Sequence, residues 1–431
     1  MRRLSVYIEI KGTQVYVGEI CGNTPEDAVF SYAKEYMEKP VAVPISLSLP
    51  FSDSAFSPVR TKNFFEGLLP EGFTRRCVAE WMHVNEDDYL SILAGLGCEC
   101  LGAVKIIEGE NPPILPDYRK LTSEDVRNLA KEGATESAQL VMKSHLSLTG
   151  ASGKAGLYYD EKENQWYLPI GDAPSTHIVK QSHIRLEGIV TNEQLCLLTA
   201  SYLGIDTPDS FVVDTGETGD GDVLFATKRY DRIMSAEPKL INQLPVPSRL
   251  HQEDFAQAMG ISSFHKYEHN QEGYLKKMFS LLRTFSSDPL TDQLKLWDIC
   301  VFNYLIGNTD NHIKNLSLLY SQDLKGVRLA PAYDVVSTAI YESSTKEMAL
   351  SIGGMYLLDR IERRHFEKEA QNAGLGVKLA MKRFDDMASR FDKALSRAAA
   401  FLTEQGFANA EEIQKRILQK RGIHYLRSET G

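Results

Sequence analysis

Asp310 and Asn315 stand in the run Ile306-Gly-Asn-Thr-Asp310-Asn-His-Ile-Lys-Asn315, spaced as D-x-x-x-x-N. That is the spacing of a protein-kinase catalytic loop. A carboxylate at the first position can orient or deprotonate an attacking hydroxyl. An amide oxygen at the last can hold Mg²⁺. The same residues would also make an Asx-rich turn behind the apolar helix that precedes them, Leu294–Leu305. A second carboxylate favours the chemical reading. Asp334, in Leu329-Ala-Pro-Ala-Tyr333-Asp334-Val-Val-Ser337, follows a short strand-like run. Two carboxylates and one amide suffice for Mg²⁺, which takes few protein oxygens and keeps positions for phosphate and water.

Three upstream segments could handle a nucleotide. Ser147-Leu-Thr149-Gly150-Ala151-Ser152-Gly153-Lys154-Ala-Gly156 is rich in small residues, which let backbone N–H groups approach phosphate. It is a near miss for the P-loop pattern G-x-x-x-x-G-K-[ST], with Leu148 and Ala155 at two required positions. An ordinary hairpin turn is the competing reading. Thr176-His-Ile-Val-Lys180 ends a β-branched run on a lysine that could reach α- and β-phosphates, or simply face solvent. Glu193, at the start of the next helix, could pair with it as kinases pair a helix glutamate with a strand lysine. Phe225-Ala-Thr-Lys228-Arg229-Tyr230-Asp-Arg232 lies where a hinge strand would offer backbone groups to adenine. A salt-bridged connector would look the same.

The elements that must position these residues fall into three blocks over 431 residues. Residues 1–110 read as a β/α module, with two strands in 4–20, a third at 41–49 and broken helices over 63–97. The proline-rich stretch 108–116 marks a boundary. Residues 111–236 read as a β-rich lobe with one helix near 191–203. Residues 237–431 read as helical, at 252–259, 271–286, 291–306, 361–372, 376–404 and 409–421. The expected fold class is therefore α+β, a β-rich lobe followed by an all-α lobe and preceded by a small module.

Composition sets the outer bounds. The net charge of −10 disfavours a general nucleic-acid coat. The 43% hydrophobic and 25% charged content is that of a globular chain. There is no apolar run of membrane-spanning length and no signal-like N-terminus, so the expected address is the cytosol, away from membranes. Among six cysteines only Cys98 and Cys100 are close, without a matching second pair, and they read as reduced thiols.

Taken in order, S-x-x-G-A-x-x-K, T-H-I-x-K, N-E-x-x-C-L-L, K-R-Y-D-R, H-Q-E-D, G-N-T-D-N-H-x-K-N and L-x-P-x-Y-D-V-V-S resemble the HipA family of serine/threonine-kinase toxins. Ser46-Leu-Ser-Leu-Pro50 and Asn63-Phe-Phe-Glu-Gly-Leu-Leu-Pro-Glu71 resemble that family's amino-terminal module. The resemblance implies a kinase-like fold using ATP and Mg²⁺. Asp310 would be the catalytic base, and Asn315 and Asp334 the metal ligands. Thr149 to Lys154 (with Gly150, Ala151, Ser152 and Gly153 between) would form the phosphate loop. Lys180 would reach the phosphates, and Lys228, Arg229 and Tyr230 would form the hinge. His312, Ile313, Lys314 and Tyr333 would complete the nucleotide site. Ser147 would be an inactivating autophosphorylation site, with Thr149 as a second. The implied partners are a helix-turn-helix, HipB-like antitoxin, through which DNA is reached, and a protein substrate of the aminoacyl-tRNA synthetase class, glutamate-tRNA ligase first. The sequence departs from the family pattern at Lys228, where an acidic residue is familiar, and at Ser152-Gly153. Two other readings stand beside it: a small-molecule or lipid phosphotransferase, and a kinase-like partner of a DNA-bound repressor without transfer activity.

Overall fold

A computed structural model describes residues 1–109, 115–132, 153–182, 186–215 and 223–421. The chain divides into two compact units. Unit one comprises Met1–Ser182, Val213–Ser263 and Leu318–Val327; unit two comprises His183–Val212, Phe264–Ser317 and Arg328–Gly431. The expected module and most of the expected β lobe therefore share one compact unit. The stretch from 237 to 263, expected at the head of the helical lobe, lies in it too. Among the described residues no helix is long and apolar enough to cross a membrane.

The two largest sheets draw mainly on unit one. The first is ordered β3-β2-β1-β4, from β1 (Arg2–Ile10), β2 (Thr13–Gly22), β3 (Val29–Tyr32) and β4 (Val104–Glu108). Leu4, Val6 and Ile8 alternate along β1 into a fully buried face, the two-residue period of a strand covered on one side. Gly18 in β2 is required by close approach, since a Cβ there would sit 2.1 Å from the Ser31 carbonyl oxygen. Three short α-helices follow α1 (Lys34–Met37): α2 (Pro58–Phe65), α3 (Gly72–Met82) and α4 (Tyr89–Leu96). They match the broken pattern read over 63–97.

The strand expected at 41–49 does not form; an isolated bridge pairs Ser46 with Leu49. Its backbone groups bond to side chains instead of a neighbouring strand. The Tyr32 hydroxyl donates to Leu49 O at 2.6 Å and accepts from Ile45 N–H at 3.0 Å. The Glu253 carboxylate accepts from Ser46 Oγ at 2.5 Å and from Leu47 N–H at 3.1 Å. Alternation alone cannot tell a strand from an extended segment whose donors are satisfied this way.

The second sheet is ordered β5-β7-β6-β8-β10-β9. Its strands are β5 (Asp117–Lys120), β6 (Lys154–Asp160), β7 (Gln165–Ile170), β8 (His177–Gln181), β9 (Ser210–Asp214) and β10 (Val223–Lys228). Helix α5 (Ser123–Glu132) follows β5. Beyond β10 come β11 (Arg232–Ile233), the hairpin β12–β13 (Lys239–Ile241, Leu244–Val246), β14 (Ser248–Arg249), β15 (Gln252–Asp254) and α7 (Phe255–Met259).

A buried charge network sits within this unit. Arg232 and Arg249 reach the two oxygens of Glu99 at 2.6 and 2.5 Å. Arg229 forks onto Asp231 at 2.9 and 2.7 Å. Arg249 also meets Glu9 at 3.2 Å. Asp231 further accepts the Gly102 N–H at 2.8 Å. Three arginines thus face three carboxylates, so the burial is electrically balanced, as a buried ionic cluster must be.

Unit two is mainly helical: α6 (Ile189–Tyr202), α8 (Tyr274–Phe285), α9 (Pro289–Ile306), α10 (Arg363–Asn372), α11 (Val377–Glu404) and α12 (Asn409–Lys420). Helix α11 buries Ala380, Met381, Phe384, Met387, Phe391, Ala394, Leu395, Ala398, Ala399 and Leu402, at helical spacing. Each large apolar side chain so buried contributes about 1.5–3 kcal/mol. Phe366 and Phe384 lie 4.7 Å apart between ring centroids, and Tyr304 stacks edge-on against Phe366 at 5.1 Å. The lobe is not all-α as expected. It carries the hairpin β18–β19 (Glu347–Ile352, Met355–Leu357), following β16 (Ser317–Tyr320) and β17 (Val327–Leu329). Gly353 and Gly354 turn that hairpin at φ 59° and 87°.

Candidate active site

Helix α9 delivers the D-x-x-x-x-N loop. Asp288 caps its start by accepting the Thr291 N–H, with Pro289 at the first helical position. Gly307 stops it at φ 69°. The Gly307 N–H returns to Tyr304 O at 3.1 Å and the Asn308 N–H to Asn303 O at 2.8 Å, a Schellman end. Asn308 is buried and its Oδ1 accepts the Asp310 N–H at 3.1 Å. The Asx turn that competed with the catalytic reading is therefore real, and the Asn308 side chain makes it.

Asp310 is exposed, while Asn311, His312, Lys314 and Asn315 are buried around it. The loop folds back on itself. Asn315 Nδ2 donates to the Asp310 carbonyl at 3.0 Å, and the Asn315 N–H donates to His312 O at 2.9 Å. The spacing read from sequence thus brings both residues to one turn. With Nδ2 committed as a donor, the acceptor oxygen is the group left to face a cation.

Asp334 arrives by a different route. The hydroxyl of its neighbour Tyr333 donates to Lys314 O at 2.9 Å and hydrogen-bonds Ser317 Oγ at 2.6 Å. The Tyr333 side chain is thereby tied to the backbone of residue 314, the chain neighbour of Asn315. Asp334 has φ 56°, a left-handed conformation that a side chain rarely adopts and that Asp tolerates better than most. Such strain clusters at functional sites, where surrounding contacts enforce it. Thr309 fixes the loop's near end: its N–H donates to Thr338 Oγ1 at 2.7 Å.

The side chain of Ile313 is fully buried, and its N–H donates to Lys266 O at 3.4 Å. Its side chain belongs to the core. Tyr333 acts as the brace just described. Tyr267 was missed by sequence reading. Its hydroxyl donates to Asp310 Oδ1 at 2.6 Å. The available signal was a lone aromatic in the polar run His265-Lys-Tyr-Glu-His-Asn270.

In unit one, Gly153 and Lys154 are described, whereas Ser147, Thr149, Gly150, Ala151 and Ser152 lie outside the described residues. Lys154 begins β6 and is the direct register partner of Lys180 on β8. Phe225 on β10 is the register partner of Lys180 on its other side, and the Lys180 ammonium lies 5.5 Å from the Phe225 ring centroid. Directly paired residues share a sheet face, and like charges so placed repel. A polyphosphate laid across them would remove that repulsion, so the pair fits an anionic ligand.

The hinge segment divides. Lys228 is half-exposed and meets Glu161 at 3.4 Å. The Tyr230 hydroxyl donates to Gln252. The Arg229 side chain is fully buried in the charge network, and its N–H donates to Thr176 O at 2.9 Å. The Arg229 side chain therefore acts as a connector, the alternative reading of that segment.

Known proteins share this architecture. The HipA N-terminal domain model matches residues 8–107 and the HipA-like C-terminal domain model matches residues 146–395. The chain is 31% identical over 388 residues to "Putative kinase Y4mE" of Sinorhizobium fredii, covering 88% of this chain and 89% of that protein. It is 24% identical over 411 residues to the serine/threonine-protein kinase toxin HipA of Shewanella oneidensis, covering 92% and 90%. A solved complex of Shewanella oneidensis HipA, HipB and operator DNA contains a chain of the same fold. The TM-score is 0.78 at 21% identity, over 98% of this chain and 97% of that one.

Proposed function

The chain belongs to the HipA family, and we propose that it is an ATP- and Mg²⁺-dependent serine/threonine protein kinase with Asp310 as its base. The observation that carries this reading is the closed turn joining Asp310 to Asn315, with Tyr333, the chain neighbour of Asp334, bonded to Lys314 O. Bound Mg-ATP supplies the transferable phosphoryl group and the cation that offsets its charge. The chain's residues do the rest. Asn315 and Asp334 hold the metal, and Lys154 and Lys180 hold phosphate oxygens. Lys228 and Tyr230 border the adenine, and His312 and Lys314 support the loop. Asp310 accepts the acceptor hydroxyl's proton as that oxygen bonds to the γ-phosphorus and the bond to the β–γ bridging oxygen breaks.

Finer assignments follow from family likeness. The chain acts as a growth-arresting toxin in the cytosol, on an aminoacyl-tRNA synthetase, with glutamate-tRNA ligase the first candidate. A HipB-like helix-turn-helix antitoxin restrains it and links it to DNA, as the Shewanella oneidensis complex of HipA, HipB and operator DNA suggests. Phosphorylation at Ser147, or at Thr149, switches it off. A phosphate adds about −1.5 to −2 charges. Leu146 and Leu148 flank Ser147, an apolar setting that disfavours that charge and would expel the phosphate loop. The test is transfer from γ-labelled ATP to a bacterial lysate, followed by identification of the labelled protein and mass spectrometry of the kinase itself. A labelled synthetase supports the reading. Label confined to lipid or small molecules would replace it with the corresponding phosphotransferase.

A further inference from the structure

Lys266-Tyr267-Glu268 forms a strap in unit two, between the short turn Ser263–His265 and helix α8. Tyr267 Oη donates to Asp310 Oδ1 at 2.6 Å. Its ring meets the His312 ring edge-on, 5.2 Å between centroids at 86°. The strap is held on both flanks. Lys266 O accepts the Ile313 N–H at 3.4 Å, and the Glu268 N–H donates to Ala349 O at 2.9 Å. The Glu268 carboxylate is buried and accepts the Gly273 and Ser351 N–H groups, each at 2.7 Å. The Ala349 N–H in turn reaches Thr309 O at 3.0 Å, one residue before Asp310. Residues 266–268, 309–313 and 349–351 therefore close a hydrogen-bonded ring, and Tyr267 is the member that touches the carboxylate.

We infer that Tyr267 is the positioning residue of Asp310, fixing the rotamer in which that carboxylate meets an acceptor hydroxyl. This rests on the assignment of Asp310 as base. The chemistry suits the task. A phenol is neutral near pH 7, so it orients a carboxylate with a charge-assisted bond without imposing the full positive charge of an arginine or lysine. An adjacent cation would lower the carboxylate's basicity, which a proton acceptor needs. Tyr267 as a residue is 36% exposed and Asp310 is exposed, so the pair lies at the protein surface, where a macromolecular acceptor can reach Asp310. Glu268 and the β18–β19 hairpin make the donor's position part of the fold.

The test compares the full-length chain with Tyr267→Phe, Asp310→Asn and the double variant. It measures initial transfer from γ-labelled ATP to lysate protein at saturating ATP, the ATP concentration for half-maximal rate, equilibrium ATP binding and Tm. Phenylalanine keeps the ring contact with His312 and removes the donor. Tyr267→Phe should lower the rate about 10-fold. ATP binding, half-maximal ATP and Tm should hold. In the Asp310→Asn background Tyr267→Phe should cost nothing further. A wild-type rate in Tyr267→Phe, with Asp310→Asn inactive, overturns the positioning role and leaves the base intact. Parallel loss of rate, ATP binding and Tm makes Tyr267 structural and also overturns it. Near-normal transfer by Asp310→Asn removes the base assignment and this inference with it.

Discussion

Lys154 and Lys180 are directly opposed on antiparallel strands β6 and β8, two cations on one sheet face 26 residues apart in sequence. Like charges directly opposed on a sheet repel, and an anion laid across both lysines would relieve that repulsion. The opposition therefore gives the near-miss phosphate motif a structural reason that its glycines alone did not.

Replacing Lys154 with Met should weaken nucleotide binding. ATP affinity should fall about 10-fold by calorimetry, one phosphate contact's worth. Lys180→Met should lose at least as much affinity. A Lys154→Met protein that binds ATP normally would remove the lysine pair from the site.

The two carboxylates should fail differently. Asp310→Gln should lower phosphoryl transfer by about 10²-fold or more while ATP still binds. Asp334→Asn should weaken Mg-ATP binding as well, because it removes a charged metal ligand. Equilibrium binding with and without Mg²⁺ separates the two. Identical Mg²⁺ dependence in Asp334→Asn and wild type would contradict the metal role.

Asp231→Asn should destabilise the fold by about 3–5 kcal/mol, since it removes one of the three carboxylates that balance the three buried arginines. Urea midpoints measure this. Burial opposes the Asp231 charge, yet Arg229 and Arg232 overcome it and hold the carboxyl well below the usual range. Its contribution is present above the ordinary carboxylate pKa. It is lost only as strong acid takes pH down through the lowered folded value.

Glu253 should leave the opposite signature. Burial raises its carboxyl, and donors from Ser46, Tyr320 and Leu47 recover only part, so it is pushed up to about 7. The folded state then holds a proton that the unfolded chain has released. Stability from Glu253 is full below pH about 4.5 and declines as pH rises through about 7. Buried His251, lowered to about 4, gives a loss as pH falls from about 6.5 toward 4. The Glu253→Gln variant should keep the acid-side loss and flatten the decline between pH 5 and 8. Unfolding free energies across that range decide it, and an unchanged slope would contradict the raised carboxyl.

Much of the architecture was legible along the chain because its signals are local. The Lys11-Gly12 turn, the helical period of residues 377–404 and the glycine stop at 307 each depend on neighbours a few residues away. The D-x-x-x-x-N spacing likewise survived folding, since its turn closes on itself between Asp310 and Asn315. What the sequence could not decide were partnerships between distant residues. Residues 41–49 alternate like a strand, but Tyr32 and Glu253 take their hydrogen-bonding groups. The Arg229 side chain carries no sign in sequence of the Asp231 and Glu99 carboxylates that hold it buried. Tyr267 carries no motif, and 43 residues separate it from the carboxylate it grips. Local backbone energetics and periodicity are written in consecutive residues. Which donor meets which buried acceptor is settled only when tertiary packing removes water and every polar group must find a partner.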